Sequence, residues 1–197
     1  MPPRRGTRRR SNGWPAYGPT WSAGDRRGRT PLHLACGARP ANPSAGDPYG
    51  VATVDALLAH GAALEAVEAI PDGSAAFPAT PLWYAVARGD NLPLVEHLLR
   101  LGAKADHCMW AVVWRDDAEM CRALLAVKPR LDLVFDGETP LFYAARLRRL
   151  TTLELLLDAG ADCAFVGPGG VTVVEIATRR RLPWPVVERL TAASREP

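Results

Sequence analysis

His33 and Cys36 are the first residues in this chain whose types and spacing could do chemistry. Three positions apart, they share a face if the segment is helical, and such a pair could be catalytic or metal-binding. Zinc usually takes four protein ligands in a structural site, and this pair supplies only two. His107 and Cys108 are sequence neighbours and would point in different directions on a helix. Asp116 and Asp117 are paired carboxylates, but they precede a helix-forming segment, where acidic side chains favour the helix N-terminus. His60 and His97 fall on segments expected to be helical, at the surface or near a helix end. The four cysteines, Cys36, Cys108, Cys121 and Cys163, include no close pair. They fit neither a disulfide framework nor a zinc spacing and read as small apolar core residues in a reducing compartment. Nothing resembles a nucleophile elbow, a phosphate-cradling loop or a His-Glu-x-x-His site. The expectation is a chain that is not an enzyme, with no catalytic residue, cofactor or metal.

The elements that hold these residues are set by repetition. His33 lies in Gly28-Arg29-Thr30-Pro31-Leu32-His33-Leu34-Ala35, and degraded copies follow: Thr80-Pro81-Leu82-Trp83-Tyr84-Ala85, Gly137-Glu138-Thr139-Pro140-Leu141-Phe142-Tyr143-Ala144, and Gly170-Val171-Thr172-Val173-Val174-Glu175-Ile176-Ala177. A second string recurs behind them, as Leu57-Leu58-Ala59-His60-Gly61-Ala62, Leu98-Leu99-Arg100-Leu101-Gly102-Ala103 and Leu156-Leu157-Asp158-Ala159-Gly160-Ala161. Thr139 and Thr172 lie 33 residues apart. Thr in each copy is placed to cap a helix, Pro suits the first turn, and the trailing Gly can end the second helix in left-handed backbone. A Thr-Pro-Leu-His motif on a period of about 33 residues is the signature of the ankyrin repeat, and from about Asp25 to Leu190 the chain resembles that family.

The resemblance implies an all-α fold: a right-handed solenoid of about five helix-turn-helix repeats with short β-turn or finger loops. The repeats are expected at 25–65, 78–106, 107–133, 136–165 and 167–193, followed by a tail at 194–197. Within the family the His and Thr of the motif brace neighbouring backbone, so His33 is expected to be structural. Trp83 and Phe142 stand at the same place, as though packing replaced hydrogen bonding.

The copies are not uniform. Thr30 to Leu57 spans 27 residues where Thr80 to Leu98 spans 18, which puts an insertion of nine within 37–50. The finger at 66–77 is elongated, and a second helix is expected from Val54. Residues 107–133 lack the motif and most of a finger; Cys108–Arg115 stands in for the first helix and Lys128-Pro129 replaces the usual Gly-Ala stop.

Residues 1–29 carry eight arginines against Asp25, a net +7, so the rest of a chain of net charge +3 sums to −4. Residues 1–24 read as a disordered arginine-rich leader, without the apolar segment of an export signal. Its arginines and aromatic residues could hold nucleic acid by phosphate neutralisation and stacking. All but two of the 24 basic residues are arginine, however, in keeping with GC-rich coding, and no nucleic-acid fold follows. No apolar run approaches the roughly 18 residues of a membrane span. The expectation is a cytoplasmic monomer.

Function is then expected on the concave side, which the resemblance builds from finger loops and the outward side of each first helix. Aligning the copies places Tyr84, Arg88, Trp110, Trp114, Tyr143 and Arg146 there, residue types that dominate binding hot spots. Tyr84 and Tyr143 are expected to be exposed because Leu82/Ala85 and Leu141/Ala144 already face inward; Trp110 could instead fill the space of the missing finger. The reading is a module that binds a protein or peptide on this surface. The alternatives are a nucleic-acid-associated factor working through the leader and an inhibitor of a specific enzyme.

Overall fold

A computed structural model describes residues 21–40, 47–72 and 75–195. The leader expected at 1–24 falls outside these residues as far as position 20, as do 41–46 of the insertion and the last two residues of the tail. Among the described residues ten α-helices succeed one another in pairs: α1 (Pro31–Cys36) with α2 (Val51–Ala59), α3 (Pro81–Tyr84) with α4 (Leu92–Arg100), α5 (Met109–Arg115) with α6 (Ala118–Leu125), α7 (Pro140–Leu147) with α8 (Leu150–Asp158), and α9 (Val173–Arg179) with α10 (Trp184–Ala193). The first helices pack side by side in one layer, α1 on α3, α5 on α7 and α7 on α9; α4, α6 and α8 form the second.

Threonine starts four of the first helices. Thr80 Oγ1 accepts from Trp83 N at 3.2 Å and Thr139 Oγ1 from Phe142 N at 3.3 Å. Thr172 and Glu175 cap reciprocally, Oγ1 accepting from Glu175 N at 3.2 Å while the glutamate carboxylate accepts from Thr172 N at 2.9 Å. In α1 the imidazole does the work of that glutamate: Thr30 N donates to His33 Nδ1 at 3.1 Å.

The core is a ladder of apolar residues from successive pairs. Leu32, Leu82, Val112 and Leu141 are buried from the first helices; Val54, Leu94, Leu98, Leu124, Leu156 and Leu190 are buried from the second. All four cysteines are buried and unpaired. Burial pushes the thiols of Cys36 and Cys121 up to about 12, so they pack as apolar groups and have no thiolate character.

Polar side chains stitch one pair to the next. Asn91 caps α4 through Leu94 N at 3.2 Å and donates from Nδ2 to the Tyr49 carbonyl at 2.8 Å. Asp117 caps its own following helix through Met120 N at 3.0 Å. Asp116 instead reaches the next pair, where its carboxylate accepts from both Thr152 N (2.9 Å) and Thr152 Oγ1 (3.0 Å) in the first turn of α8. The two carboxylates thus cap two different helices.

Two expectations need correction. Helix α2 starts at Val51 and not near Val54, because Asp47 in the insertion accepts hydrogen bonds from Ala52 N and Thr53 N at 3.2 and 2.9 Å and so supports an earlier first turn. The elongated finger is a β-hairpin and not a loop: β1 (Glu68–Asp72) pairs antiparallel with β2 (Ala75–Ala79), with Ile70 opposite Phe77. Pro71 faces Ala76 and Pro78 faces Ala69. Neither proline can donate into the ladder, so both outer edges are blunted against further strand pairing.

The second helices stop in left-handed backbone, at Gly61 (φ 86°), Gly102 (φ 89°) and Gly160 (φ 80°). Lys128 takes the same conformation with φ 52°, where a side chain costs about 1 kcal/mol. Replacing Lys128 by Gly is expected to stabilise the chain by about 0.5–1 kcal/mol, the gain in strain relief being offset in part by a freer unfolded chain. A urea unfolding midpoint that does not rise would contradict this.

Candidate functional site

The shortened third finger organises the surface that the hairpin and the first helices enclose. With no finger between them, the hairpin and the turn at Phe135–Glu138 meet directly. Phe77 of β2 packs edge-on to Phe135 with ring centroids 4.9 Å apart, and to Trp110 of α5 at 6.2 Å. Trp110 also meets Phe135 at 6.3 Å, and Trp83 of α3 leans on Phe77 at 5.6 Å. Trp110 is 8% exposed, so it fills the space of the absent finger. Its Nε1–H is buried without an acceptor among the described residues.

Above this cluster runs a groove of about 620 Å³. Trp114, one helical turn beyond Trp110, stands in it 62% exposed. Arg88, Tyr143 and Arg146 line it as well. Arg146 lies over the Tyr143 ring at 5.1 Å and donates twice to the Glu138 carboxylate, at 2.6 and 2.9 Å. That pairing raises the guanidinium pKa above its ordinary value and fixes the head group. Arg88 lies over the Tyr84 ring at 5.1 Å. The structure therefore brings Arg88, Trp110, Trp114, Tyr143 and Arg146 to one groove.

Tyr84 is not on it. The side chain is 3% exposed, against the expected exposure. It points back between α1 and α3, into space that Gly37 leaves open: a Cβ there would lie 2.8 Å from the tyrosine ring. Its hydroxyl donates to the buried Glu68 carboxylate of β1, and its ring meets His33 edge-on at 5.3 Å. Inward positions on the preceding turn were thus no measure of this side chain's surroundings, because the hairpin folds over it. Burial and the Glu68 carboxylate push the phenol up to about 12.

Sequence reasoning also missed the groove walls supplied by fingers: Ile70, Pro71 and Phe77 from the hairpin, and Phe135, Asp136 and Glu138 from the turn. The one signal for them was the deleted third finger, which leaves its two neighbours adjacent.

His33, the most reactive-looking residue, is fully buried and committed at both nitrogens. Nδ1 accepts from Thr30 N, so the proton resides on Nε2, which donates to the Ala79 carbonyl at 3.3 Å. The histidine ties α1 to the end of the hairpin. Among the described residues no three His, Cys, Asp or Glu side chains gather as a metal site. Phe142, at the matching place in α7, is buried against Phe165 at 6.1 Å and touches Gly167 so closely that a Cβ there would lie 2.7 Å from its ring.

A family model described as ankyrin repeats in three copies matches residues 82–166, and one for the single ankyrin repeat matches 27–68. Together they span well over half of the chain. The chain belongs to the ankyrin-repeat family. No curated protein matches it. Ankyrin repeats are generally protein–protein interaction modules; the groove residues from Trp83 to Arg146 lie in the longer matched segment, and Ile70, Pro71 and Phe77 of the hairpin lie between the two. No helix among the described residues is long and apolar enough to cross a membrane.

Two outcomes test the polar cluster beneath the groove. Tyr84→Phe leaves the Glu68 carboxylate buried without its donor and is expected to cost about 1–3 kcal/mol in urea unfolding; a cost near zero would show that Glu68 finds another partner. Burial holds the His33 pKa below its ordinary value near 6.5. The unfolded imidazole therefore binds a proton that the folded one refuses as pH falls through that value. Stability should decline below about pH 6.5, by up to about 1.4 kcal/mol per pH unit for this one group, until the folded pKa is reached. His33→Gln should flatten that part of the pH–stability curve, and a curve of unchanged slope would count against the assignment.

Proposed function

We propose that this ankyrin-repeat chain is a non-catalytic recognition module, monomeric and cytoplasmic, that holds a protein or peptide in the groove between the hairpin and α3, α5 and α7. The reading takes the five helix pairs as five repeats of one stack, with the groove on its concave side. Trp114 carries the argument. A tryptophan that is mostly exposed, on an aromatic floor and flanked by Arg88, Tyr143 and Arg146, offers a large apolar contact with cationic and hydroxyl groups beside it. Such clusters of Trp, Tyr and Arg supply most of the binding energy where proteins meet, and an exposed aromatic surface of this kind marks an interaction site.

The floor is also prepared in advance. Phe77, Phe135 and Trp110 hold one another in edge-on contacts, and Glu138 fixes Arg146. A partner would therefore order few side chains on this face, and the entropy lost on binding would be small.

Trp114→Ala combined with Tyr143→Ala removes groove surface while leaving the buried Tyr84 intact. Capture of partners from the native host should fall at least tenfold relative to the unaltered chain, with far-ultraviolet circular dichroism unchanged. Full capture by the folded double variant would reject the groove as the binding site.

A further inference from the structure

The charged groups of the groove differ in whether they are already paired, and this difference carries the chemistry of the occupant. Four charged side chains line it: Arg88, Asp136, Glu138 and Arg146. Glu138 and Arg146 neutralise each other. Arg88 is exposed and, apart from the Tyr84 ring beneath it, enters no ion pair or side-chain hydrogen bond among the described residues. Asp136 is likewise exposed and, although it adds to the field at Arg146, makes no ion pair or side-chain hydrogen bond among the described residues. One open cation and one open anion remain. The cation stands in the helical turn Ala85–Gly89 that continues α3, the anion on the turn that leads into the fourth pair. Trp110 and Trp114, from the third pair, lie between them.

We infer that the groove takes an extended peptide that is acidic at one end and basic at the other, with an apolar or aromatic side chain between. The acidic side chain meets Arg88, the central one covers Trp114, and the basic one meets Asp136. This deepens the groove reading above and rests on it. Neighbouring helices lie about 8–10 Å apart, so the open charges are separated by at least roughly two such steps. An extended strand rising about 3.3 Å per residue crosses two steps in about five to six residues, which sets the smallest spacing between the acidic and basic positions. Opposed charges at the two ends of an apolar groove also fix direction, because the reversed peptide would bring like charges together at both ends.

The test is a selection from a displayed library of random 12-residue peptides against the full chain, followed by fluorescence titration of the strongest binder. The enriched peptides should carry Asp or Glu at least about five to six residues from Lys or Arg, with an apolar or aromatic residue between them. R88E should weaken the best peptide at least tenfold, and changing that peptide's acidic residue to Lys should restore binding to R88E. Asp136→Asn, which keeps a residue that tolerates left-handed backbone, should weaken the same peptide and leave one without the basic residue unaffected. Peptides that require Trp114 but bind R88E and the Asp136→Asn variant as tightly as the unaltered chain overturn the charge assignment and leave the groove reading standing. An empty selection, or binders indifferent to Trp114→Ala, overturns both.

Discussion

Helices of this length do not stand alone in water. The longest here has 10 residues and α1 only six, below the 12–15 or so at which an isolated helix becomes marginally stable. Each must bury its apolar side against the next pair, and the buried ladder from Leu32 to Leu190 is the result. The constraint is local, so stability is shared among neighbours and not concentrated in one centre. It also explains the position of the polar stitches. Asn91 and Asp116 satisfy donors at helix starts while bridging successive pairs. A cap that serves the next pair couples their folding in a way that a cap within one helix does not.

The same dependence on neighbours turns a deletion into a surface. Where the third finger is missing, its neighbours lose a partner, and a void of that size between apolar walls would forfeit both contact and transfer energy. The chain closes it with rings: Phe77 reaches over to Phe135, and Trp110 rises beneath them. Edge-on aromatic packing adds about 0.5–1.5 kcal/mol per pair to the burial itself. Once Trp110 is used up in that repair, Trp114 one turn later is left facing outward. The groove is therefore a consequence of how the gap was filled, and its rigid floor comes from core packing.

The sequence carried the helix pairs, their caps and their glycine stops because each rests on a short string: Thr-Pro-Leu for the start, Leu-Leu-x-x-Gly-Ala for the end. The hairpin was harder to see. Ala66–Phe77 is short, rich in Ala and broken by Pro71, and its strands pair only because Ile70 and Phe77 share an apolar face with α3 and α5 behind them. Tyr84 was misplaced for the same reason. Helical spacing says which side chains point at a neighbouring helix, but it is blind to a hairpin folding over the opposite side and bringing Glu68 with it. Of the groove, the helical residues were legible and the finger residues were not, since finger contacts join positions as distant as Phe77 and Phe135 and no periodicity links them.

One position in the repeat shows why the groove lies where it does. His33, Trp83, Phe142 and Glu175 are equivalent by the spacing of their threonines, and each is fixed by different physics. His33 needs a carbonyl to receive its Nε2 proton, and Ala79 at the end of the hairpin supplies it. That bond draws the hairpin tightly over α1, and with Tyr84 and Glu68 it seals the N-terminal end of the surface with satisfied polar groups. Glu175 spends its carboxylate on the start of its own helix. Trp83 and Phe142 carry no such obligation and pack against whatever ring is near, Phe77 for one and Phe165 for the other. Between α3 and α7 the hairpin and the Phe135–Glu138 turn consequently meet each other through aromatic contact, and only the far side of the turn is tied to a helix, by Glu138 to Arg146 of α7, which leaves apolar surface uncovered between them. A surface closed by hydrogen bonds at one end is therefore left open over aromatic rings in the middle.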